Sequence, residues 1–283
     1  MGIQVEIDGE TRLAGIIGYP VTYTLSPVIH NAAYRALGLD WAYVPLVVRP
    51  ESVRSALKGV AALNFAGVNI TMPHKEAALD HLDDVDPYAV SVGAVNTVVV
   101  RDGRLAGFNT DGSGFLSALA EEAGFDPAGK RAAVLGAGGA ARSVVHALVG
   151  AGISEVAVFN RSGARAERLA KSAGTMARAE VLRPGVDFDA FDLVVNATSL
   201  GMVPGEEPSP GSAFHPGQVV FDLIYHPSRT ALVERANRAG AVARGGLGML
   251  VRQAAASFEL FTDLPAPLDA MFAAVEDVSV GVE

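Results

Sequence analysis

Four short polar clusters hold most of the residues in this chain that could do chemistry: Thr24-Leu25-Ser26, Asn69-Ile70-Thr71 with Lys75, Asn96-Thr97, and Asn109-Thr110-Asp111. Each sits at the end of an apolar stretch that reads as a strand, and α/β proteins bind ligands beyond the carboxyl ends of their strands. Hydroxyls, amides, one lysine and one carboxylate suit a small polyhydroxylated acid. A lysine near a carboxylate can give a proton to a developing alkoxide, or take one from an alcohol, while a hydride moves. Each cluster alone also has an ordinary reading. Ser26 can be a helix cap, Asn96 and Asn109 can bond turn backbone, and Asp111 can cap the helix that follows it.

The stretch Arg131 to Arg142, RAAVLGAGGAAR, supplies a different kind of site. An apolar run stops there and a helical pattern begins across a cluster of glycines. Gly136, Gly138 and Ala141 fit the G-x-G-x-x-(G/A) spacing. Gly136 permits the tight turn, Gly138 lets backbone approach a pyrophosphate, and Ala141 lets helix and strand pack closely. The free amides of the helix start, with its dipole, favour an anion. An ordinary tight strand-to-helix turn can have the same composition.

The residues that choose between dinucleotides follow the next strand. An NAD-selecting chain usually places Asp or Glu there, bonded to the ribose hydroxyls. Here Asn160-Arg161-Ser162 stands in that place, with Arg165 one turn on. No carboxylate repels a 2'-phosphate and two guanidiniums can grip it, so NADP is the expected cofactor. The plain alternative is a solvated arginine on a helix face, which is how Arg168 reads.

The elements that must position these groups alternate. In the first third, strands are expected over Leu13 to Gly18, Trp41 to Val48 and Gly67 to Thr71. Helices are expected from Ser26-Pro27 to Gly38, over Glu51 to Leu63, and over the sequence MPHKEAALDHL beginning at Met72. In that last helix Lys75 would oppose the dipole of the first turn, so it has no evident local reason to be there. His74 reads as a partly exposed residue at the start of the same helix. Thr97 to Arg101 and Leu105 to Asn109 flank Asp102-Gly103, a good hairpin turn. A helix from Asp111 then leads into the glycine loop.

After the loop come strand Val156 to Phe159, helix Ala164 to Ala173, strands Leu193 to Asn196 and Val219 to Leu223, helix Ser228 to Ala239, and a short strand over Ala241 to Arg244. That alternation is what a doubly wound parallel sheet needs, because each parallel pair requires a crossover. Val203 to Pro216 holds four prolines and reads as a loop, either a lid or a passive surface connection. A helix beyond Gly248 and another after Pro267 follow the completed sheet and are expected to pack back on the first domain.

The 283 residues suffice for two domains of ordinary size, and half of them are hydrophobic, as in a packed soluble enzyme. A formal charge of -9 and the lack of a Lys/Arg run argue against a nucleic-acid surface. With no cysteine there is neither a disulfide framework nor a thiolate metal site. No companion ligands stand near His74, and no metal is expected. The acidic start MGIQVEIDGETR does not look like a signal peptide, and no run approaches a membrane span, so a cytoplasmic location is the default. The sequence leaves monomer and homodimer both open.

Taken together and in order, Thr24-Leu-Ser26-Pro27, Asn69-Ile-Thr71-Met-Pro73-His-Lys75-Glu76, Gly93-Ala-Val-Asn96-Thr97, Asn109-Thr-Asp111-Gly112, Gly136-Ala-Gly-Gly-Ala, Asn160-Arg161-Ser162, Asn196-Ala-Thr-Ser and Gly246-Leu-Gly-Met-Leu-Val-Arg-Gln253 closely resemble shikimate dehydrogenases. The resemblance runs from about Gly15 to the C-terminal helices. It implies a substrate domain of α/β type over 1–111 and 246–283, and a Rossmann-type NADP-binding domain over 112–245. The implied reaction is the reversible, NADP-dependent reduction of 3-dehydroshikimate to shikimate on the route to aromatic amino acids.

By the same resemblance Lys75 and Asp111 form the catalytic pair, with Asp111 holding the ammonium. Thr24 and Ser26 bind the substrate carboxylate, while Thr71, Asn96, Tyr225 and Gln253 meet its ring hydroxyls. The cofactor falls to Gly136, Ala137, Gly138, Gly139 and Ala140 at the phosphate loop, and to Asn160, Arg161, Ser162 and Arg165 at the 2'-phosphate. Thr198, Leu223, Gly246 and Met249 lie toward the nicotinamide. One position departs from the family pattern: Thr24 stands where serine is usual, keeping the hydroxyl but narrowing and stiffening the pocket. Quinate/shikimate and aminoshikimate dehydrogenases differ at such positions and form the runner-up. From another class, the alternative is a non-catalytic module that senses NADP or shikimate. Retention of both Lys75 and Asp111 speaks against it, as does the lack of an appended DNA-binding segment.

Overall fold

The computed structural model describes residues 7–203 and 205–279, with side chains described through residue 276. Residues 1–6, half of the acidic start considered above, lie outside that range. The chain divides into two units: Met1–Thr110 with Val251–Glu283, and Asp111–Leu250.

The first unit is built on a mixed sheet whose inner strands are apolar apart from Asn69, Thr97 and the arginines at strand ends. β1 (Arg12–Gly18) lies between β2 (Trp41–Val47) and β3 (Gly67–Ile70), parallel to both. Gly67 is fixed by packing, because a Cβ there would stand 2.5 Å from the ring of Phe261. β5 (Thr97–Arg101) runs antiparallel to β3 and turns back through Asp102-Gly103 into β6 (Arg104–Phe108), which also pairs with the two-residue β4 (Asp84–Val85). Both turn residues have positive φ, 52° and 73°, as a two-residue hairpin of matching twist requires. The helices α1 (Ser26–Ala36), α2 (Val53–Ala62) and α3 (Pro87–Val92) complete the N-terminal part of this unit.

Two expectations fail here. Ser26 does not cap α1: it is the first helical residue, Leu25 holds the cap position, and no side chain caps the helix. No α-helix spans 72–82, where only a 3-10 turn forms over Ala77–His81. The composition of that stretch favours helix, but its polar groups are claimed elsewhere. The His74 ring bonds the Val48 carbonyl at 2.7 Å, and the Lys75 carbonyl accepts from the Val95 N–H at 2.9 Å. His74 is buried, not a partly exposed helix start. β4 and α3 had no counterpart in the sequence reading.

The second unit opens with α4 (Asp111–Ala123) and carries a six-stranded, wholly parallel sheet. Its members are β7 (Arg131–Leu135), β8 (Glu155–Asn160), β9 (Ala177–Val181), β10 (Leu193–Asn196), β11 (Val219–Asp222) and β12 (Val242–Arg244), in the order β12-β11-β10-β7-β8-β9. The order reverses between β7 and β10, the switch point where doubly wound sheets bind ligands. The edge strand β9 was not foreseen, since the face of ARAEV that packs on the core is made of the small side chains Ala177 and Ala179, a weak apolar signal. Alternate β7 residues face two cores, Ala132 and Val134 toward one containing α4 and α5 (Gly139–Gly150), Ala133 and Leu135 toward one containing Phe188 and α7 (Ala231–Arg238). α6 (Gly163–Ala173) joins β8 to β9. α7 starts three residues later than expected, because Thr230 caps it by accepting from the Val233 N–H.

The proline-rich stretch is pinned rather than open. Arg235 donates to the Ser209 and Ser212 carbonyls at 3.0 and 2.7 Å and lies over the Phe214 ring. Ser209, Ser212 and Phe214 are buried, which ties that part of the segment down, while Val203, Gly205 and Glu206 stay exposed.

α8 (Leu247–Thr262) begins in the second unit and continues into the first, and α9 (Leu268–Ser279) packs on α1. The later part of α8 serves the first unit directly: Phe258 lies 5.5 Å from Tyr34 and Phe261 5.9 Å from His30, ring centre to ring centre. Those contacts return the C-terminal helices to the N-terminal unit, as expected. Among the described residues no helix is long and apolar enough to cross a membrane.

Candidate active site

In the first unit the ends of β3, β5 and β6 bring amides and hydroxyls together beside α8. Asn96, at the entrance to β5, donates to the Thr110 hydroxyl at 2.8 Å and to Gln253 Oε1 at 3.3 Å. Its own oxygen accepts from the Thr110 N–H at 2.8 Å and the Thr97 hydroxyl at 3.0 Å. Asn69 lies behind it, donating to the Asn96 carbonyl, the Thr97 hydroxyl and the Ser257 hydroxyl at 2.9 to 3.1 Å. Asn69, Asn96, Thr97, Thr110 and Ser257 are all buried, and buried amides are stable only when their donors and acceptors are met, as here.

The predicted carboxylate binders form a pair of their own. The Thr24 hydroxyl donates to Ser26 Oγ at 3.2 Å and accepts from the Ser26 N–H at 3.3 Å. Tyr43 connects this pair to the amide group. Its hydroxyl donates to Asn69 Oδ1 at 2.6 Å. Burial raises the pKa of that hydroxyl, the neighbouring Tyr34 adds to the rise, and a hydrogen bond with Ser26 acts the other way. Thr71 is half-buried where β3 ends, its N–H held by the Ile17 carbonyl at 2.8 Å. Lys75 is half-buried and follows in the turn anchored by His74, with its carbonyl tied to Val95 beside Asn96.

Thus Thr24, Ser26, Thr71, Lys75, Asn96 and Gln253 share one unit. Asn96 and Gln253, 157 residues apart in sequence, touch. Asn69, Thr97 and Thr110 stand in the polar clusters singled out from sequence, without a role of their own; Tyr43 and Ser257 were not singled out. Ser257 stands one helical turn after Gln253, a spacing that could have signalled it. Tyr43 reads as an ordinary strand aromatic and carries no such signal.

In the second unit Gly136 has φ +116°, and a Cβ there would stand 2.8 Å from the Ala197 carbonyl, so only glycine fits the end of β7. Nothing lies within 4 Å of a Cβ built on Gly138, leaving backbone open at the start of α5. Ala137, Gly139 and Ala140 are half-buried around it, and the first amides of the helix have no partner within it. At the end of β8, Asn160 turns its amide to the Ser162 carbonyl at 3.0 Å, and Ser162 precedes α6. Arg161 and Arg165 are exposed and make no ion pair among the described residues. An open glycine turn, free helix amides and two unengaged guanidiniums with no carboxylate at that strand end fit a phosphorylated dinucleotide.

Thr198 follows β10, and Leu223 follows β11, its N–H donating to the Asn196 carbonyl at 2.9 Å. Gly246 packs against Leu223 so closely that a Cβ would come within 2.2 Å of its carbonyl oxygen. Met249 is buried in the core that holds Phe115 and Phe221. Tyr225 is half-buried in the turn after β11, and burial raises its hydroxyl pKa. Asp111 is the buried first residue of α4. Among the described residues no group of three His, Cys, Asp or Glu could hold a metal.

Residues 16–98 match the shikimate dehydrogenase substrate binding domain, residues 118–201 the shikimate / quinate 5-dehydrogenase family, and residues 246–276 the shikimate 5'-dehydrogenase C-terminal domain. A shikimate dehydrogenase (NADP(+)) of Methanopyrus kandleri is 44% identical over 285 residues, covering 97% of this chain and 98% of that protein. A shikimate dehydrogenase solved in complex with NADP+ is 36% identical with a TM-score of 0.91, covering 98% of this chain and 99% of that one. The shikimate 5-dehydrogenase of Thermus thermophilus, solved with NADP(H) and shikimate, is 40% identical with a TM-score of 0.84, covering 94% of this chain and 99% of that one.

Proposed function

The chain belongs to the shikimate dehydrogenase family, and from that premise we propose that it catalyses the reversible, NADP-dependent reduction of 3-dehydroshikimate to shikimate. The geometry that most supports this reading is the Asn96–Gln253 contact at 3.3 Å, with Lys75 tied through Val95 to the same strand end. It gathers an amide pair and a cation in one unit, as a polyhydroxylated acid requires.

In this reading the unit of residues 1–110 and 251–283 takes shikimate, and residues 111–250 take NADP. Bound NADP supplies the hydride acceptor or donor. The hydroxyls of Thr24 and Ser26 hold the substrate carboxylate, Thr24 turning to it the proton that it otherwise gives to Ser26 Oγ. Thr71, Asn96, Tyr225 and Gln253 bond the ring hydroxyls and fix which carbon is presented. Lys75 gives its proton to the developing alkoxide during reduction and recovers it during oxidation, and Asp111 orients the ammonium. Gly136 to Ala140 cradle the pyrophosphate on backbone amides, Asn160, Arg161, Ser162 and Arg165 hold the 2'-phosphate, and Thr198, Leu223, Gly246 and Met249 frame the nicotinamide. The enzyme works on small molecules in the cytoplasm, as a monomer or homodimer.

Thr24 favours one second reading, a quinate/shikimate or aminoshikimate dehydrogenase, because its methyl reshapes the carboxylate pocket. Steady-state oxidation of shikimate and quinate, each with NADP+, separates the two. Shikimate turnover yielding 3-dehydroshikimate is expected to dominate. A higher kcat/KM for quinate would overturn the assignment.

A further inference from the structure

Asp222 ends β11 as a fully buried carboxylate with no ion pair among the described residues, an arrangement that is costly unless several donors converge on it. They do. Oδ1 accepts from Asn196 Nδ2 at 2.9 Å and from the Ile224 N–H at 3.1 Å, and Oδ2 accepts from the Thr230 hydroxyl at 2.6 Å. The donors come from the end of β10, the turn after β11 and the cap of α7. Burial still raises the carboxyl pKa, with these bonds opposing the rise.

Asn196, also fully buried, passes the constraint on. Its amide nitrogen donates a second bond to the Leu200 carbonyl at 3.2 Å, and its oxygen accepts from the Thr198 N–H at 3.0 Å and the Thr198 hydroxyl at 2.7 Å. The same hydroxyl accepts from the Leu200 N–H at 3.1 Å. Thr198 has therefore spent its only side-chain proton inside the protein. What it can offer a ligand is its methyl, its backbone carbonyl or one lone pair. That methyl lies 3.3 Å from where a Cβ on Gly136 would be, so the turn also abuts the phosphate loop.

We infer that Asp222 is a positioning residue. Through Asn196 and Ile224 it sets the turns Thr198–Leu200 and Leu223–Tyr225 against the phosphate loop, and so shapes the surface that receives the nicotinamide end of NADP. The inference rests on the proposed function, which assigns Thr198 and Leu223 to that end.

Asp222→Ala leaves three donors without their acceptor. Asp222→Asn keeps an oxygen for Asn196 and Ile224, and its nitrogen can donate to the Thr230 hydroxyl. The test is fluorescence titration with NADPH together with steady-state kinetics on Asp222→Ala, Asp222→Asn and Asn196→Ala, each first shown folded by circular dichroism. For Asp222→Ala and Asn196→Ala, the NADPH Kd should rise and kcat fall by about tenfold, the size expected when a buried donor loses its acceptor. KM for shikimate should stay within about twofold, and Asp222→Asn should recover most of the loss. Unchanged NADPH Kd and kcat in the folded variants would overturn the inference, as would a shikimate KM that rises in step. If Asp222→Ala does not fold, Asn196→Ala, which leaves the other two donors to the carboxylate in place, decides alone. Failure of the wild type to oxidise shikimate would sink the proposed function, and the NADPH titrations would still decide this one.

Discussion

The two units build their sites by opposite means. In the first, the groups proposed for substrate rest on a network of buried amides and hydroxyls, in which Asn69 donates to Asn96, Thr97 and Ser257, and Asn96 to Thr110 and Gln253. In the second, the site proposed for phosphate is backbone and space: Gly136 is packed, Gly138 is open, and Arg161 and Arg165 are exposed. A network of the first kind fixes side-chain positions before any ligand arrives, so damage to it costs stability and recognition together. Exposed arginines carry little of the fold, so their loss should be read only by the ligand.

The largest expected effect separates chemistry from both kinds of binding. Lys75→Ala should lower kcat by about 10²- to 10⁴-fold, the range for a lost general acid-base group, while an NADPH titration shows the wild-type Kd. Turnover near wild type would remove Lys75 from the mechanism. Arg161→Ala comes next. It should weaken NADP+ by about ten- to a hundredfold through one lost charge-assisted contact, leaving NAD+ kinetics and the melting temperature alone. Equal losses for both cofactors would mean that the guanidinium does not read the 2'-phosphate.

Asn69→Ala sharpens the comparison from the other side. It leaves the Tyr43 hydroxyl without its acceptor and deprives Thr97 and Ser257 of a donor, so stability should fall by about 1–3 kcal/mol. KM for shikimate should rise while the NADPH Kd holds. A denaturant melt and the two titrations check this, and an intact shikimate KM would detach the network from recognition.

The smallest effect at neutral pH concerns His30, stacked on Tyr43 at 4.2 Å with neither ring nitrogen bonded. Burial lowers its pKa from the ordinary 6.5 to about 3. The unfolded chain therefore takes up the proton more readily, and the stability tied to neutral His30 is present above pH 6.5 and lost as pH falls toward 3. His30→Phe keeps the stack and should melt like wild type or slightly higher at about pH 7, with its advantage growing as the buffer is acidified. Parallel melting curves at every pH would contradict this.

Much of this contrast was legible in the residues. The strand, loop and helix of the phosphate site follow from local rules, since an apolar run, glycines at fixed spacing and a helical pattern act within a dozen residues. The hairpin at Asp102-Gly103 was readable for the same reason. The substrate network was not, because Asn96 meets Gln253 across 157 residues and only a resemblance could join them. Tyr43 hid as a strand aromatic, and Asp222 as the ordinary end of an apolar strand. The expected helix over 72–82 shows local preference losing to tertiary contacts, with His74 drawn to Val48 and Lys75 to Val95.

Whether a shikimate-recognising unit is joined to an NADP-selective one is read from the ratio of kcat/KM for NADP+ to that for NAD+ at saturating shikimate. Two exposed arginines and no competing carboxylate predict a ratio of at least about ten. A ratio near or below one would contradict the account.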